Sequence, residues 1–381
     1  MSVKTKAKGF FSEFLNSIGA ILIGLLMIIL CTIGLSWNEL RSVRSIRAYN
    51  ELEKNFIQVE SKVEPQNEGL LVAARGTIPS TFTPAHDPNF EITNDSFILR
   101  RQVEVAQWKE TKKNNSEGDP TYTYNLVWSS SRINSTNFPS EHKNEWPSNV
   151  PESKEFYSDD VKLGDFNLSQ HHLRQLGARN NMVINFHPEG FILSQANGIN
   201  YLTNSTGAGT PQESGQLRIS FYNNTLNRAS VLAKQQGENF TDYTTKNKKR
   251  FNEAYSDNLS GGDMISRLRT ANTVITVMLR VLLCILICVG FILLFSPIQL
   301  LVKYIPFLGK WLGKATSLVA KIVGCILGVL LSVLVIAISW IMVRPLVSIP
   351  LILIVVGTIV LMVRKKKTVN TAQTETVSDQ N

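Results

Sequence analysis

Three apolar stretches towards the carboxyl end of the chain constrain its fold more than any other feature. They cover residues 280–302, 315–341 and 346–363. A helix needs about 20 apolar residues to cross the hydrocarbon of a bilayer, and stretches of about this length with few charges are typical of spans. The short spacers between them leave no room for a soluble core. The sequence therefore predicts a membrane protein with three spans in this part.

A further span is predicted near the amino terminus, at residues 17–37. Its apolar stretch exceeds the 7–15 residues or so of a signal-peptide core, and no small-residue cleavage site follows it. We therefore expect a retained anchor rather than a cleaved signal. Residues 1–16 combine lysines with phenylalanines, a pattern that fits a short amphipathic helix at the interface or a basic flank of the span.

The average composition conceals this organisation. The mean hydropathy is 0.00 and the net charge is +9, values that a soluble protein could also show. Much of the positive charge stands beside predicted spans, where lysine and arginine usually set topology and contact lipid headgroups. We therefore expect membrane lipids as partners and no nucleic acid.

The short basic segments predict the orientation. Lysines and arginines concentrate in residues 1–16, in the loop 303–314 and in the tail 364–381. Cytoplasmic segments carry this excess, so we place both termini and this loop in the cytoplasm and residues 38–279 on the opposite side. The loop 303–314 is expected to lie along the interface, and the polar tail is expected to be disordered.

The region between the first two spans is predicted to be a β-rich α+β domain. Residues 39–57 show helical periodicity, and alternating or β-branched stretches then replace it. The predicted strands are 70–78, 97–109, 122–128, 161–168, 217–222 and 230–236, with a helix at 171–176. The strands 97–109 and 122–128 should form one large hairpin. All four cysteines lie in predicted spans, so no disulfide is expected in this domain.

No pattern in the sequence points to catalysis. The five histidines lack metal-ligand spacing, and no nucleotide-binding loop or nucleophile elbow is present. We therefore predict no catalytic, metal-binding or cofactor-binding residues and expect a protein that is not an enzyme. Gly324 and Gly328 stand four residues apart in a predicted span, a spacing that allows two helices to approach closely.

Four side chains are predicted at the edges of the membrane. They are Trp37, Arg280, Trp340 and Arg344. Tryptophan is enriched at the level of the headgroups, and an arginine at the edge of the hydrocarbon extends into the headgroup layer at little cost. We therefore expect these residues to anchor the helices and to contact lipid headgroups.

Several phrases of the sequence together resemble the transmembrane protein 43 (LUMA) family. The phrases are residues 67–72 with Gly76, 99–111, 122–125 with Trp128, 133–138 with 142–144, 215–221, and Trp340 with 344–346. The positions that carry the resemblance in the outer domain are Glu68, Gly69, Arg100, Arg101, Trp108, Tyr122, Tyr124 and Trp128. The resemblance implies four membrane helices with a large lumenal or periplasmic domain between the first and the second, and it brings no catalytic residue. It also implies self-association, and in animal relatives emerin and lamins as partners, which we do not carry over to this chain.

These observations favour a membrane scaffold that self-associates and organises membrane proteins or lipids. The alternative is a lipid-handling protein or enzyme with a pocket in the outer domain. A transporter would need polar residues along a path between spans, and the predicted spans offer few. We expect a bacterial inner membrane as the location, or the endoplasmic reticulum and inner nuclear membrane if the source is eukaryotic.

Overall fold

The computed structural model describes residues 2–114, 120–185, 188–297, 309–341, 345–358 and 360–361. The chain divides into two compact units. Residues 52–265 form the β unit, and residues 1–51 together with 266–381 form the helical unit.

The elements follow one another in an order that places all described strands between the first and second long helices. The helices are α1 (Ser2–Asn55), α2 (Gln170–Leu176), α3 (Gly261–Leu294), α4 (Gly309–Trp340) and α5 (Pro345–Thr358). The strands are β1 (Ile57–Val59), β2 (Leu71–Thr77), β3 (His86–Asp87), β4 (Ile92–Thr93), β5 (Ile98–Asn114), β6 (Pro120–Ser129), β7 (Lys154–Tyr157), β8 (Lys162–Leu163), β9 (Phe166–Asn167), β10 (Asn180–Asn181), β11 (Ile192–Ala196), β12 (Ile199–Thr203), β13 (Leu217–Asn223), β14 (Arg228–Gln236), β15 (Asn239–Thr241), β16 (Tyr243–Thr244), β17 (Arg250–Phe251) and β18 (Glu253–Tyr255).

In the described part of the chain, three helices are long and apolar enough to cross a bilayer. The candidate spans are Ser17–Asn55 in α1, Gly261–Leu294 in α3 and Leu318–Trp340 in α4. Large apolar side chains of these helices point away from the protein, among them Leu22 and Ile33. Such a surface is expected of helices that face lipid, because lipid tails are as apolar as leucine. The chain is therefore an integral membrane protein.

The fourth predicted span, 346–363, corresponds in the described residues to α5, which is shorter than the other three helices. Its passage through the membrane stays a prediction. Two boundaries differ from those predicted. The segments 1–16, 17–37 and 39–57 join in the single helix α1, because no proline or glycine pair interrupts them. Helix α4 already begins at Gly309, within the predicted loop 303–314, and residues 303–308 lie outside the described part.

Glycines allow the helices of this unit to approach closely. A Cβ atom on Gly290 of α3 would lie 2.9 Å from the carbonyl oxygen of Gly24 in α1. On α4, a Cβ at Gly324 would lie 3.0 Å from the backbone nitrogen of Ile292, and one at Gly328 would lie 2.7 Å from the Cα atom of Cys288. The predicted contact through Gly324 and Gly328 is confirmed.

The β unit is built around two seven-stranded sheets. The first sheet has the order β1-β2-β14-β15-β9-β8, with β18 also pairing with β14. The second has the order β11-β12-β13-β5-β6, with β10 beside β13 and β7 beside β5. The predicted hairpin is confirmed: β5 and β6 pair antiparallel, from Val105 opposite Ser129 to Asn114 opposite Pro120. Each sheet has its own apolar core, centred on Val231 and Phe166 in the first and on Ile219 and Phe221 in the second.

The prediction of one strand at 161–168 is wrong. The chain reverses at Gly164, and β8 pairs with β9 as a small antiparallel hairpin. Gly164 has a φ of +59°, a left-handed conformation that glycine adopts without a steric penalty. Alternating apolar residues on both sides of the turn therefore imitate a single strand.

The glycine contact between α3 and α4 is testable by adding one methyl group. Gly328→Ala is expected to lower the thermal unfolding midpoint of the detergent-solubilised protein, because the new Cβ collides with the backbone of Cys288. Gly19→Ala in α1 is the matched control, since a Cβ there meets nothing within 4 Å. Equal midpoints for the two variants would contradict the packing described.

Candidate functional site

The helical unit contains a band of buried polar side chains just beyond the apolar part of α1. Asn38, Ser42 and Ser45 of α1 are buried. Asn272 and Thr276 of α3 are buried too, and they lie four residues apart, on one face of the helix. The two helices therefore meet here through hydrogen bonds, for example from the Asn272 amide to the hydroxyl of Ser42.

Glu39 of α1 is the charged centre of this band. Its side chain is 0% exposed. Arg280 of α3 donates from Nε to one carboxylate oxygen at 2.9 Å and from Nη2 to the other at 2.7 Å. The indole Nε1 of Trp340, the last residue of α4, donates to the second oxygen at 2.6 Å. One carboxylate thus joins three helices, and its burial is compensated by an ion pair and a neutral donor.

The charges of this site do not cancel. Arg41 lies one helical turn from Asn38, and its partners among the described residues are the neutral oxygens of Asn38, Asn272 and Thr276, at 3.1–3.3 Å. Its Nε is buried and has no hydrogen-bond partner among the described residues. Among the described residues, Glu39 pairs with Arg280 while Arg41 contacts no carboxylate, so this described group of three side chains carries a net positive charge.

A cavity of about 300 Å³ opens beside the ion pair. Its wall includes the polar side chains of Thr276, Arg280 and Trp340. The remainder is mostly apolar and includes Val277 of α3, Ile336 of α4 and Val347 of α5. A concave surface with a few polar groups on an apolar wall is typical of a site for a small molecule or a lipid.

The four predicted membrane-edge residues do not share one environment in the structure. Arg280 and Trp340 come together on Glu39. Trp37 is 62% exposed and does not line the cavity. Arg344 lies outside the described residues. Contact of any of them with lipid headgroups stays a prediction.

Sequence reasoning missed Glu39 itself. The signal was present, because a carboxylate directly after an apolar span, beside the predicted interfacial Trp37, is costly unless it is paired. A second signal was the repeat of Asn272, Thr276 and Arg280 at intervals of four residues, which puts their side chains on one face of α3.

The positions of the β unit that carry the family resemblance mostly contact other side chains or the backbone of the same unit. Arg101 and Asp87 form a buried ion pair at 2.7 Å, with the guanidinium of Arg101 against the rings of Phe90 and Phe156. Arg100 lies over the ring of Tyr222.

Glu68 and Gly69 belong to the turn before β2. Glu68 accepts a hydrogen bond from the backbone N–H of Gly237. Gly69 has a φ of +76°, in the left-handed region. Both residues therefore shape the turn.

The aromatic family positions lie along the β5–β6 hairpin. Trp108 and Tyr124 contact the ring of His142, with centroid distances of 4.6 and 4.4 Å. The hydroxyl of Tyr124 donates to Glu110, and this hydrogen bond, with burial, raises the pKa of Tyr124 to about 12. Trp128 stacks on Arg218, whereas Tyr122 is 46% exposed. Trp108, Tyr124 and Trp128 are therefore half-buried against neighbouring side chains.

His172 is the most deeply buried histidine described, and its contacts are structural. Its Nδ1 accepts from the backbone N–H of Ser169, and its Nε2 contacts the side-chain oxygen of Asn252. Burial lowers its pKa. Within the described residues, no group of three histidine, cysteine, aspartate or glutamate side chains is placed to hold a metal ion. His187 lies outside that part of the chain.

These features define a class: an integral membrane protein whose first and second spans are separated by a two-sheet β unit. The family model described as Transmembrane protein 43 matches residues 105–345 of the chain. The chain belongs to the transmembrane protein 43 family.

Curated relatives extend the match beyond the family model. Transmembrane protein 43 of Homo sapiens is 26% identical over 329 residues, which cover 80% of this chain and 81% of the relative. Transmembrane protein 43 homolog of Drosophila melanogaster is 28% identical over 239 residues, covering 59% of this chain and 62% of the relative. No solved structure gives a significant match.

The neutral donor to Glu39 can be removed with little change of shape. Trp340→Phe is expected to destabilise the helical unit by about 1.5–3 kcal/mol, the usual contribution of a hydrogen bond to a charged group. Trp37→Phe is the matched control, because the exposed ring of Trp37 has no hydrogen bond to Glu39. The measurement is the thermal unfolding midpoint in one detergent. A larger effect of the Trp37 variant would contradict the site.

The buried His172 should make the β unit sensitive to acid. A lowered pKa in the folded state means that unfolded chains bind more protons between that pKa and the ordinary value near about 6.5. The contribution of His172 to the free energy of unfolding is therefore fully present above about pH 6.5 and is lost as the pH falls below it. Burial raises the pKa of neighbouring Glu253, which acts in the opposite direction as that carboxyl group titrates. His172→Gln should flatten the decrease of the unfolding midpoint between about pH 7 and 5, and an unchanged slope would contradict this role.

Proposed function

We propose that this chain is a non-enzymatic membrane scaffold that self-associates through the open edge of β6 and so organises membrane proteins or lipids laterally. The observation that supports this proposal most is the position of β6 at the end of the second sheet, with β5 as its neighbour. An edge strand presents unpaired N–H and C=O groups, which form a template for a strand from another chain.

The register identifies the backbone groups that face outward. The N–H and C=O of Ala106 bond to Gln216 and Gly215, on the side of β5 that faces away from β6. In an antiparallel pair of strands, a residue whose N–H and C=O point away from the partner strand lies opposite a residue whose N–H and C=O also point away from the pair. Ala106 pairs with Trp128, so Trp128 and, two residues earlier, Leu126 direct their N–H and C=O groups towards the open edge. No described backbone group bonds to them.

The composition of β6 leaves this edge unprotected. Natural edge strands usually carry lysine, proline or a bulge that blocks pairing with another chain. Residues 121–129 contain no charged residue and no proline, and Pro120 stands only at the start of the strand. The side chains of β6 are half-buried or exposed throughout. A second copy of this strand would therefore meet hydrogen-bonding groups and apolar side chains without a charge to exclude it.

The helical unit anchors this surface to the membrane. Glu39 at the end of the first span, Arg280 at the start of the second and Trp340 at the end of the third meet at one site, which supports spans that alternate in direction. We extend this to α5 as a fourth span. Four spans of alternating direction, together with the basic segments, favour both termini in the cytoplasm and the β unit on the other side of the membrane. The location in a bacterial inner membrane, or in the endoplasmic reticulum and inner nuclear membrane of a eukaryote, remains part of the proposal.

A pocket enzyme in the outer domain is the less favoured alternative. Two described clefts of the β unit each contain at least one serine and a glutamate in their lining. The hydroxyls of Ser153 and Ser129 donate to backbone carbonyls. Glu155 and Glu110, by contrast, accept from tyrosine hydroxyls. Neither cleft therefore shows a serine hydrogen-bonded to a general base among the described residues.

Leu126→Pro tests the edge directly. Proline removes the outward N–H of Leu126 but breaks no ladder bond with β5, and edge strands tolerate it when the lost N–H faces outward. Leu126→Ala is the matched control, because it shortens the side chain and keeps the N–H. Amine-reactive crosslinking in native membranes should give dimers or larger species for the wild type and for Leu126→Ala, and monomers for Leu126→Pro.

Two results would contradict self-association through β6. One is a wild-type protein that crosslinks only as a monomer. The other is a Leu126→Pro protein that crosslinks like the wild type. An unfolding midpoint of Leu126→Pro close to that of Leu126→Ala establishes that the loss of dimers does not come from unfolding.

A further inference from the structure

We propose that the cavity beside the Glu39–Arg280 pair binds an anionic glycerophospholipid, with its phosphate on Arg280 and an acyl chain along the apolar wall. This inference goes beyond the scaffold proposal, since it concerns the helical unit and does not depend on β6.

The first support is the charge of the site. Glu39 neutralises one guanidinium, and the charge of Arg41 meets neutral oxygens within the described part of the chain. A buried or half-buried charge without a partner of opposite sign is costly in surroundings of low dielectric constant. An anion at this place would complete the neutralisation. Thr276 belongs to the cavity wall and also accepts from Arg41, so the excess charge is felt inside the cavity.

The second support is the geometry of Arg280. Its Nε and Nη2 atoms are used by Glu39, and its Nη1 has no hydrogen-bond partner among the described residues. The side chain lines the cavity and is 31% exposed. A guanidinium has a planar array of five N–H donors, so the edge that Glu39 does not use remains free for a phosphate oxygen.

The third support is the position of the cavity. The uncharged part of α3 begins at Val281, directly after Arg280. The candidate span of α4 ends at Trp340. The cavity therefore lies where the spans end, at the level expected for lipid headgroups. Val277, Ile336 and Leu351 supply an apolar wall of the kind that an acyl chain covers. A free phosphate would leave this wall uncovered, so the lipid fits the site better.

The experiment uses the delipidated full-length protein in a neutral detergent. Palmitoyl-oleoyl phosphatidylglycerol and phosphatidylcholine with the same chains are titrated separately, and inorganic phosphate is titrated as a third ligand. Native mass spectrometry counts bound lipid, and the shift of the unfolding midpoint reports the apparent affinity, because a ligand that binds only the folded state stabilises it. We expect one phosphatidylglycerol per chain and a rise of the midpoint that phosphatidylcholine and phosphate do not match.

Val347→Trp occupies part of the cavity and leaves Glu39, Arg280 and Trp340 themselves unchanged. Val347 lines the cavity and is 56% exposed, so a larger side chain is accommodated. Leu346→Trp is the matched control, because Leu346 is 90% exposed and is not part of the wall. The first variant should weaken the apparent affinity for phosphatidylglycerol by about tenfold or more, since it displaces the chain from its wall. The second should bind like the wild type.

The proposal is overturned if Val347→Trp binds phosphatidylglycerol as tightly as Leu346→Trp does. It is also overturned if phosphatidylcholine binds equally well, or if inorganic phosphate gives the same stabilisation. A further measurement needs no variant: raising the salt concentration should weaken the wild-type binding of phosphatidylglycerol, because salt screens the contact between arginine and phosphate. Binding of Leu126→Pro at wild-type affinity would show that this site is independent of self-association.

Discussion

The burial of the Glu39 carboxylate is the constraint on which the helical unit depends. A carboxylate withdrawn from water at the end of a span is tolerated only with partners of opposite charge or strong donors. Arg280 and Trp340 supply them, and they come from two other helices. Losing one partner of a buried ion pair generally costs more than forming the pair gains. The site therefore acts against other arrangements of α1, α3 and α4, while the close contacts at Gly290 and Gly328 set the distances between the helices deeper in the membrane.

The β unit uses the same principle in its second sheet. Arg101 and Asp87 are both buried, and the guanidinium lies between aromatic rings. Beyond this core, the β5–β6 hairpin continues with half-exposed rings and ends in a strand whose outer backbone groups have no described partner. A rigid centre with an open edge suits a protein that assembles with copies of itself. The cavity beside Glu39 suits the recognition of lipid. The two proposals thus assign assembly and lipid contact to different units of a transmembrane protein 43 family member.

Local patterns explain which features could be predicted. The three long spans, the β-rich insertion, the helix at α2 and the β5–β6 hairpin follow from periodicity over short windows, and such patterns report burial directly. The contact through Gly324 and Gly328 follows from the need of packed membrane helices for small residues. The failures are local as well. The hairpin of β8 and β9 depends on one left-handed glycine, and the continuity of α1 depends on the absence of any residue that breaks a helix. Sequence periodicity does not distinguish one long strand from the β8–β9 hairpin, or separate helical segments from the continuous α1.

The apolar stretches alone are enough to assign this chain to a membrane, because their length and polarity leave no other solvent for them. The sequence also predicts Arg280 and Trp340 at the membrane edge. The folded chain is needed to see that both residues meet Glu39, which precedes them by 241 and 301 positions. Such a meeting depends on which faces of three helices pack together and at what height, and no short window of sequence contains that information. The net positive charge of the site and the cavity beside it follow from the same packing.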